Sequence, residues 1–183
     1  MPPNAAPPPP PPPPPRPLPS RPALRRLLDE AFHGPAWHGP SLKHALRGVR
    51  AERALWRPGE GRPNVWEHVL HCAIGKQIVA NRLDPSQRRR FPRKLARPWW
   101  APAPQLESGA ARERAWRDDL ALLDASHARL FETLARIKPS RLQERHSGSR
   151  FVLGEHVAGL AMHDSYHAGQ IALVLRLADA STD

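Results

Sequence analysis

Apolar residues recur every three or four positions in four long stretches and one short stretch of this chain, and no stretch alternates convincingly with the period of two that a half-buried strand requires. The first runs through Leu24, Leu27, Leu28 and Phe32, preceded by Ser20 as an N-cap with Pro22 in the first turn, and Gly34-Pro35 ends it. A shorter periodic stretch from Ser41 through Leu42, Ala45, Leu46 and Val49 predicts a brief helix packed across the others. Pro63-Asn64 opens the second long helix, which carries Val65, Trp66, Val69, Leu70, Ile74, Ile78 and Val79 and closes at Asp84-Pro85. The third begins near Ser108, aligns Leu120, Leu123, His127, Leu130, Leu134 and Ile137 on one stripe, and stops at Pro139. The last starts near Leu153 and runs past Leu175, with Leu160, His163, His167, Ile171 and Val174 inward. Four amphipathic helices of this kind can bury their stripes only against one another, so the expected fold class is all-α, a four-helix bundle.

The boundaries follow from composition. Residues 1–19, dominated by the proline run Pro7 to Pro15, cannot supply backbone donors and read as a disordered Pro-rich tail; its functional alternative is a polyproline ligand for an aromatic-lined groove. Residues 20–178 form the bundle domain, and 179–183 a C-terminal tail. A chain of 183 residues less such a tail holds one core. The single cysteine, Cys72, excludes an intramolecular disulfide framework and a Cys-rich zinc site, which with the absence of a spanning or export segment sets a cytoplasmic expectation. The net charge of +11 raises nucleic acid as a partner. Because the charge is arginine spread along an Ala- and Pro-rich chain, nucleic acid is not the expected partner.

His163 and His167 lie four residues apart, about 40° around a helix and one turn along, so their imidazoles project in the same direction. The apolar neighbours on that stripe make the direction inward, where an unpartnered imidazole is an unsatisfied buried polar group. His71 occupies the same kind of stripe in the second long helix, in line with Ile74 and Ile78. Two readings satisfy such a trio: core histidines hydrogen-bonded to their surroundings, or a metal. Three neutral imidazoles with no carboxylate are the ligand set of an open Zn²⁺ site, and imidazole suits Ni²⁺, Cu²⁺ and Fe²⁺ as well.

The blocks Trp37-His38-Gly39-Pro40-Ser41-Leu42, Val65-Trp66-Glu67-His68-Val69-Leu70-His71 and His163-Asp164-Ser165-Tyr166-His167-Ala168-Gly169-Gln170-Ile171 together resemble the DinB-like (YfiT-type) family. The resemblance implies a four-helix bundle whose divalent metal, Zn or Ni, is held by His71, His163 and His167. It also implies a metal-dependent enzyme of hydrolase or thiol S-transferase type, acting on a small-molecule substrate with water or a low-molecular-weight thiol as nucleophile. It supplies no catalytic residue and no organic cofactor.

Neighbouring residues have weaker claims. His68 competes with His71 but lacks its alignment with Ile74 and Ile78; His156 is a pocket or surface residue two turns from His163; and His127 is expected as a core histidine bonded to a carbonyl or water. Cys72, about 100° around from His71, should pack as a small hydrophobe. Asp164 and Glu67 are the candidates for orienting a ligating imidazole, and Trp37, His38 and Tyr166 for lining a pocket, with ordinary packing the expected role of the tryptophan. The loop from Gln87 to Ser108, with Arg88, Arg89, Arg90, Arg93, Lys94 and Arg97 ahead of Trp99-Trp100, carries the alternative reading. That alternative is a non-catalytic bundle binding a macromolecule through this loop or the Pro-rich tail. A homodimer is compatible with either reading.

Overall fold

The computed structural model describes residues 17–96 and 98–181, so most of the segment read as a Pro-rich tail, the loop residue Arg97 and the last two residues lie outside it. The described residues form six α-helices: α1 (Arg21–Phe32), α2 (Leu42–Ala45), α3 (Ala51–Leu55), α4 (Val65–Leu83), α5 (Gly109–Arg136) and α6 (Leu153–Ala180). Among them there is no strand, and Arg145 and Val152 form an isolated bridge. The all-helical class is as expected; the brief helix expected after Gly39-Pro40 is α2, which ends ahead of Gly48, whose φ of 71° favours glycine, and α3, beyond Val49, is a further short helix that the periodicity does not mark.

Helix starts are set by caps that the sequence spells out. Ser20 accepts from the Ala23 amide, Ser41 from His44 and Ser108 from Ala111. At α4 the Asn64 side chain accepts from the Glu67 amide while the Glu67 carboxylate takes the Asn64 N–H, a reciprocal box. Arg57 then grips both Glu67 oxygens, at 2.9 and 2.6 Å, and ties the end of α3 to the start of α4.

Helix α4 packs against both α5 and α6, and α1 against α6. One apolar cluster gathers Phe32, Leu42, Trp66, Leu70, Ile74, Trp116, Leu123, Ile171 and Val174. The other, at the opposite end, joins Leu24, Leu28, Val79, Leu83, Leu130, Leu134, Val157 and Leu160. Leu27, read as part of the first apolar stripe, instead faces outward at 38 % exposure, because Leu24, Leu28, Ala31 and Phe32 already fill the buried face of α1. Leu18, in the segment read as tail, packs against the second cluster and reaches Gly154, where a Cβ would lie 2.7 Å from its Cδ1.

Two polar constructions bind the layers. Lys76 on α4 and Asp164 on α6 form an ion pair with both side chains fully excluded from solvent. Burial raises the Asp164 carboxyl above its usual range, opposed by the neighbouring ammonium. Asp119, buried on α5, accepts from the Trp66 indole at 2.8 Å and from Arg93 at 2.7 Å, which pins the Arg-rich loop to the bundle. No helix is long and apolar enough to cross a membrane among the described residues.

Candidate metal centre

Helices α4 and α6 bring His71, His163 and His167 together at their crossing. The Nε2 atoms of His71 and His163 lie 2.9 Å apart, and those of His163 and His167 3.2 Å. His167 is buried; His71 and His163 are half-buried. For comparison, tetrahedral coordination with metal–nitrogen bonds of about 2.0–2.1 Å separates ligand nitrogens by roughly 3.3 Å, so a few tenths of an ångström of opening would seat an ion.

Hydrogen bonding among the rings does not account for this convergence. The Nδ1 of His71 is 2.7 Å from the carbonyl oxygen of Trp99, which can only accept, so that nitrogen carries the proton and a neutral His71 turns a bare lone pair on Nε2 toward His163. His163 Nε2 faces two other Nε2 atoms, and with neutral rings one proton there satisfies a single approach. Its Nδ1 is buried with no hydrogen-bond partner among the described residues. A cation at the centre satisfies all three nitrogens together. Burial, with neighbouring imidazoles adding to it, pushes His163 down to about 4 and His167 further, to about 2, so both are neutral donors of a lone pair at physiological pH.

The surroundings differ from expectation in instructive ways. Neither Asp164 nor Glu67 orients a ligating ring: Asp164 is spent on Lys76 and Glu67 on the start of α4 and Arg57. Those tasks fall to the Trp99 carbonyl, which holds His71, and to His68, whose Nδ1 lies 3.1 Å from the Nδ1 of His167. His68 is buried and pushed down to about 4, mainly by burial, so it is a neutral neighbour set behind His167, facing that ring's Nδ1. Trp99 adopts a left-handed backbone (φ 69°), a conformation that costs a non-glycine residue energy and here aims its carbonyl at the ring. Trp100 stacks on His71 at 4.2 Å between centroids, with the planes 10° apart, and meets His68 edge-on.

His127 is a core histidine but is not bonded to a carbonyl. It stacks on Phe32 at 3.8 Å with Phe131 beyond it, neither ring nitrogen has a hydrogen-bond partner among the described residues, and burial lowers it to about 3. It stands with Asp29 and His33, away from the trio. Cys72 is fully buried in the apolar cluster, and burial pushes its thiol well above the ordinary range. Trp37 is 96 % exposed and Tyr166 64 %, so neither lines a cavity, and His38 contacts the Ser165 hydroxyl at the surface. The aromatic wall is supplied instead by Trp99 and Phe151.

That wall belongs to a cavity of about 700 Å³ to which both His71 and His163 contribute. Its middle is apolar, formed by Gly75, Ile78 and Val79 of α4 against Leu160 and Met162 of α6, and His156 lies at its far end, as a pocket residue. The Arg-rich loop is committed inward at two of the residues on which the macromolecule-binding alternative rests: Arg93 pairs with Asp119, and the Trp100 face lies on His71.

Comparison with protein families places this arrangement. The DinB superfamily model matches residues 37–171, which contain the three histidines and the residues that hold them, and the chain belongs to that superfamily. The histidine cluster makes the chain one that could bind a metal, in a family of metal-binding helical proteins. No curated protein and no solved structure matches it.

Proposed function

We propose that the protein is a metal-dependent enzyme in which His71, His163 and His167 hold a divalent ion, Zn²⁺ or Ni²⁺, to activate water or a low-molecular-weight thiol. The observation that carries this reading is the convergence of three imidazole Nε2 atoms, that of His163 lying 2.9 Å from His71 and 3.2 Å from His167, with two of the rings in the wall of a 700 Å³ cavity. A bound divalent metal lowers the pKa of water or a thiol so that a nucleophile is available near neutral pH. The chain's own residues do the rest. The Trp99 carbonyl and His68 hold the outer nitrogens of His71 and His167, fixing which nitrogen of each ring faces inward. Trp100 covers the His71 face, and the apolar cavity wall limits water around a bound substrate. Cys72 is unsuited to serve as the nucleophile, being buried with a raised thiol pKa, so the attacking group comes from solvent or a co-substrate.

The test is metal-dependent turnover of p-nitrophenyl acetate and, separately, of monobromobimane with cysteine as the thiol. The reading expects activity with at least one probe, abolished by chelation and restored by Zn²⁺ or Ni²⁺. Activity that survives exhaustive chelation would contradict it. The thiol dependence of the restored rate then separates transferase from hydrolase.

A further inference from the structure

The cavity that begins at His71 and His163 continues along the facing sides of α4 and α6. His71, Gly75, Ile78, Val79 and Arg82 share one face of α4, and His163, Leu160, Gly159 and His156 run back along α6. At 1.5 Å per residue, His156 lies roughly 10 Å along α6 from His163, and Arg82 roughly 16 Å along α4 from His71. The groove therefore has a histidine end and an arginine end, joined by an apolar middle with open space beside Gly159.

Arg82 is the one cationic side chain among the described residues that line this cavity, and no carboxylate there forms an ion pair with it. Glu155, on the same wall, is engaged at the start of α6, where its carboxylate takes the Val152 N–H at 2.8 Å. The guanidinium is held by a short relay. The Arg82 Nη1 donates toward His156 Nδ1 at 3.5 Å, which leaves the proton of the neutral His156 on Nε2, facing the Ser149 hydroxyl at 3.0 Å. Its Cζ lies over the Trp99 ring, 5.7 Å from the centroid. Partial burial lowers the Arg82 pKa, a sign that water does not fully solvate the cation. A positioned, partly dehydrated guanidinium at one end of an apolar groove is complementary to a single anionic oxygen group on an otherwise apolar molecule.

We propose that the substrate is an apolar monocarboxylate whose carboxylate is bound by Arg82 and whose chain lies along the α4–α6 groove with its reacting centre at His71 and His163. This rests on the metal-enzyme reading for the reacting end only; the anion site stands on Arg82, His156, Ser149 and the cavity. One cation in the lining favours a monoanion over a phosphate dianion.

The experiment is calorimetric titration of the full chain with octanoate and with octan-1-ol, in metal-free and Zn²⁺-loaded protein. A charge-assisted hydrogen bond in such a place corresponds to about a ten- to hundred-fold preference for octanoate. That preference is expected in the metal-free protein, is removed by Arg82→Gln, is partly kept by Arg82→Lys, and is unchanged by Arg90→Gln on the exposed loop. Metal content should be the same in Arg82→Gln as in the wild type. Equal binding of the two probes, or a preference that survives Arg82→Gln, overturns the proposal. So does a preference seen only with Zn²⁺ and lost in His163→Ala, which would place the carboxylate at the histidines and leave the metal reading standing. A wild-type protein that binds no metal but keeps the Arg82-dependent preference sinks the metal reading and supports the anion site.

Discussion

Replacing Lys76 by Met should destabilise the protein by about 3–5 kcal/mol, the range for breaking a buried ion pair by removing one partner. Both side chains of the Lys76–Asp164 pair are fully excluded from solvent, and the ammonium touches both carboxylate oxygens, so the substitution strands a carboxylate with no alternative cation in contact. For a domain of this length each kcal/mol moves Tm by roughly 2–4 °C, giving a drop of about 6–20 °C. Asp164→Leu should cost a similar amount by stranding the ammonium, which among the described residues retains the Phe32 ring at 4.9 Å. The double variant Lys76→Met/Asp164→Leu removes both charges and replaces them with apolar groups, so its stability should return to within about 1 kcal/mol of the wild type or exceed it. Urea denaturation of all four proteins closes the double-mutant cycle. Single variants within 0.5 kcal/mol of the wild type, or a double variant as unstable as the sum of the singles, would refute the reasoning.

His68→Ala should weaken metal binding about ten- to hundred-fold in a chelator competition, because His167 loses the partner of its outer nitrogen; unchanged affinity would remove His68 from that role. The metal-free protein should lose stability as pH falls from about 6.5 towards 4. Burial holds His68 and His163 near 4 and His127 near 3, whereas the unfolded chain takes up protons around 6.5, so the stabilisation is present above that pH and lost below it. A melting temperature flat over that range would contradict the burial of these rings. Iodoacetamide should leave Cys72 unmodified in the native protein and label one thiol per chain in urea; rapid native labelling would mean that α4 opens readily.

The parts of this architecture that depend on local chemistry were legible from the sequence. Ser20 reads as a cap in the sequence and is one, the starts read at Ser41, Asn64 and Ser108 are capped by those side chains, and the spacing of His163 and His167 places both on one side of α6. The parts that depend on long-range partners were not. Asp164 sits beside a ligand candidate and reads as its orienter until Lys76, 88 positions away, is seen to claim it. Glu67 likewise doubles as an ordinary capping residue, a signal present in the Asn64-x-x-Glu67 spacing and outweighed by its closeness to His71. The carbonyl that holds His71 comes from a loop residue whose left-handed backbone no sequence rule assigns to tryptophan. Arg82 carries no motif at all; its place emerges only when α4 and α6 are set side by side.

The most direct test of the account is the metal content of the reconstituted protein, measured by elemental analysis on wild type, His71→Ala, His163→Ala and His167→Ala, all purified without an immobilised-metal column. The account predicts about one Zn²⁺ or Ni²⁺ per folded wild-type chain and its loss in each variant, as expected for three protein ligands sharing one ion. A folded wild type that takes up no metal, or variants that keep the full equivalent, would contradict it.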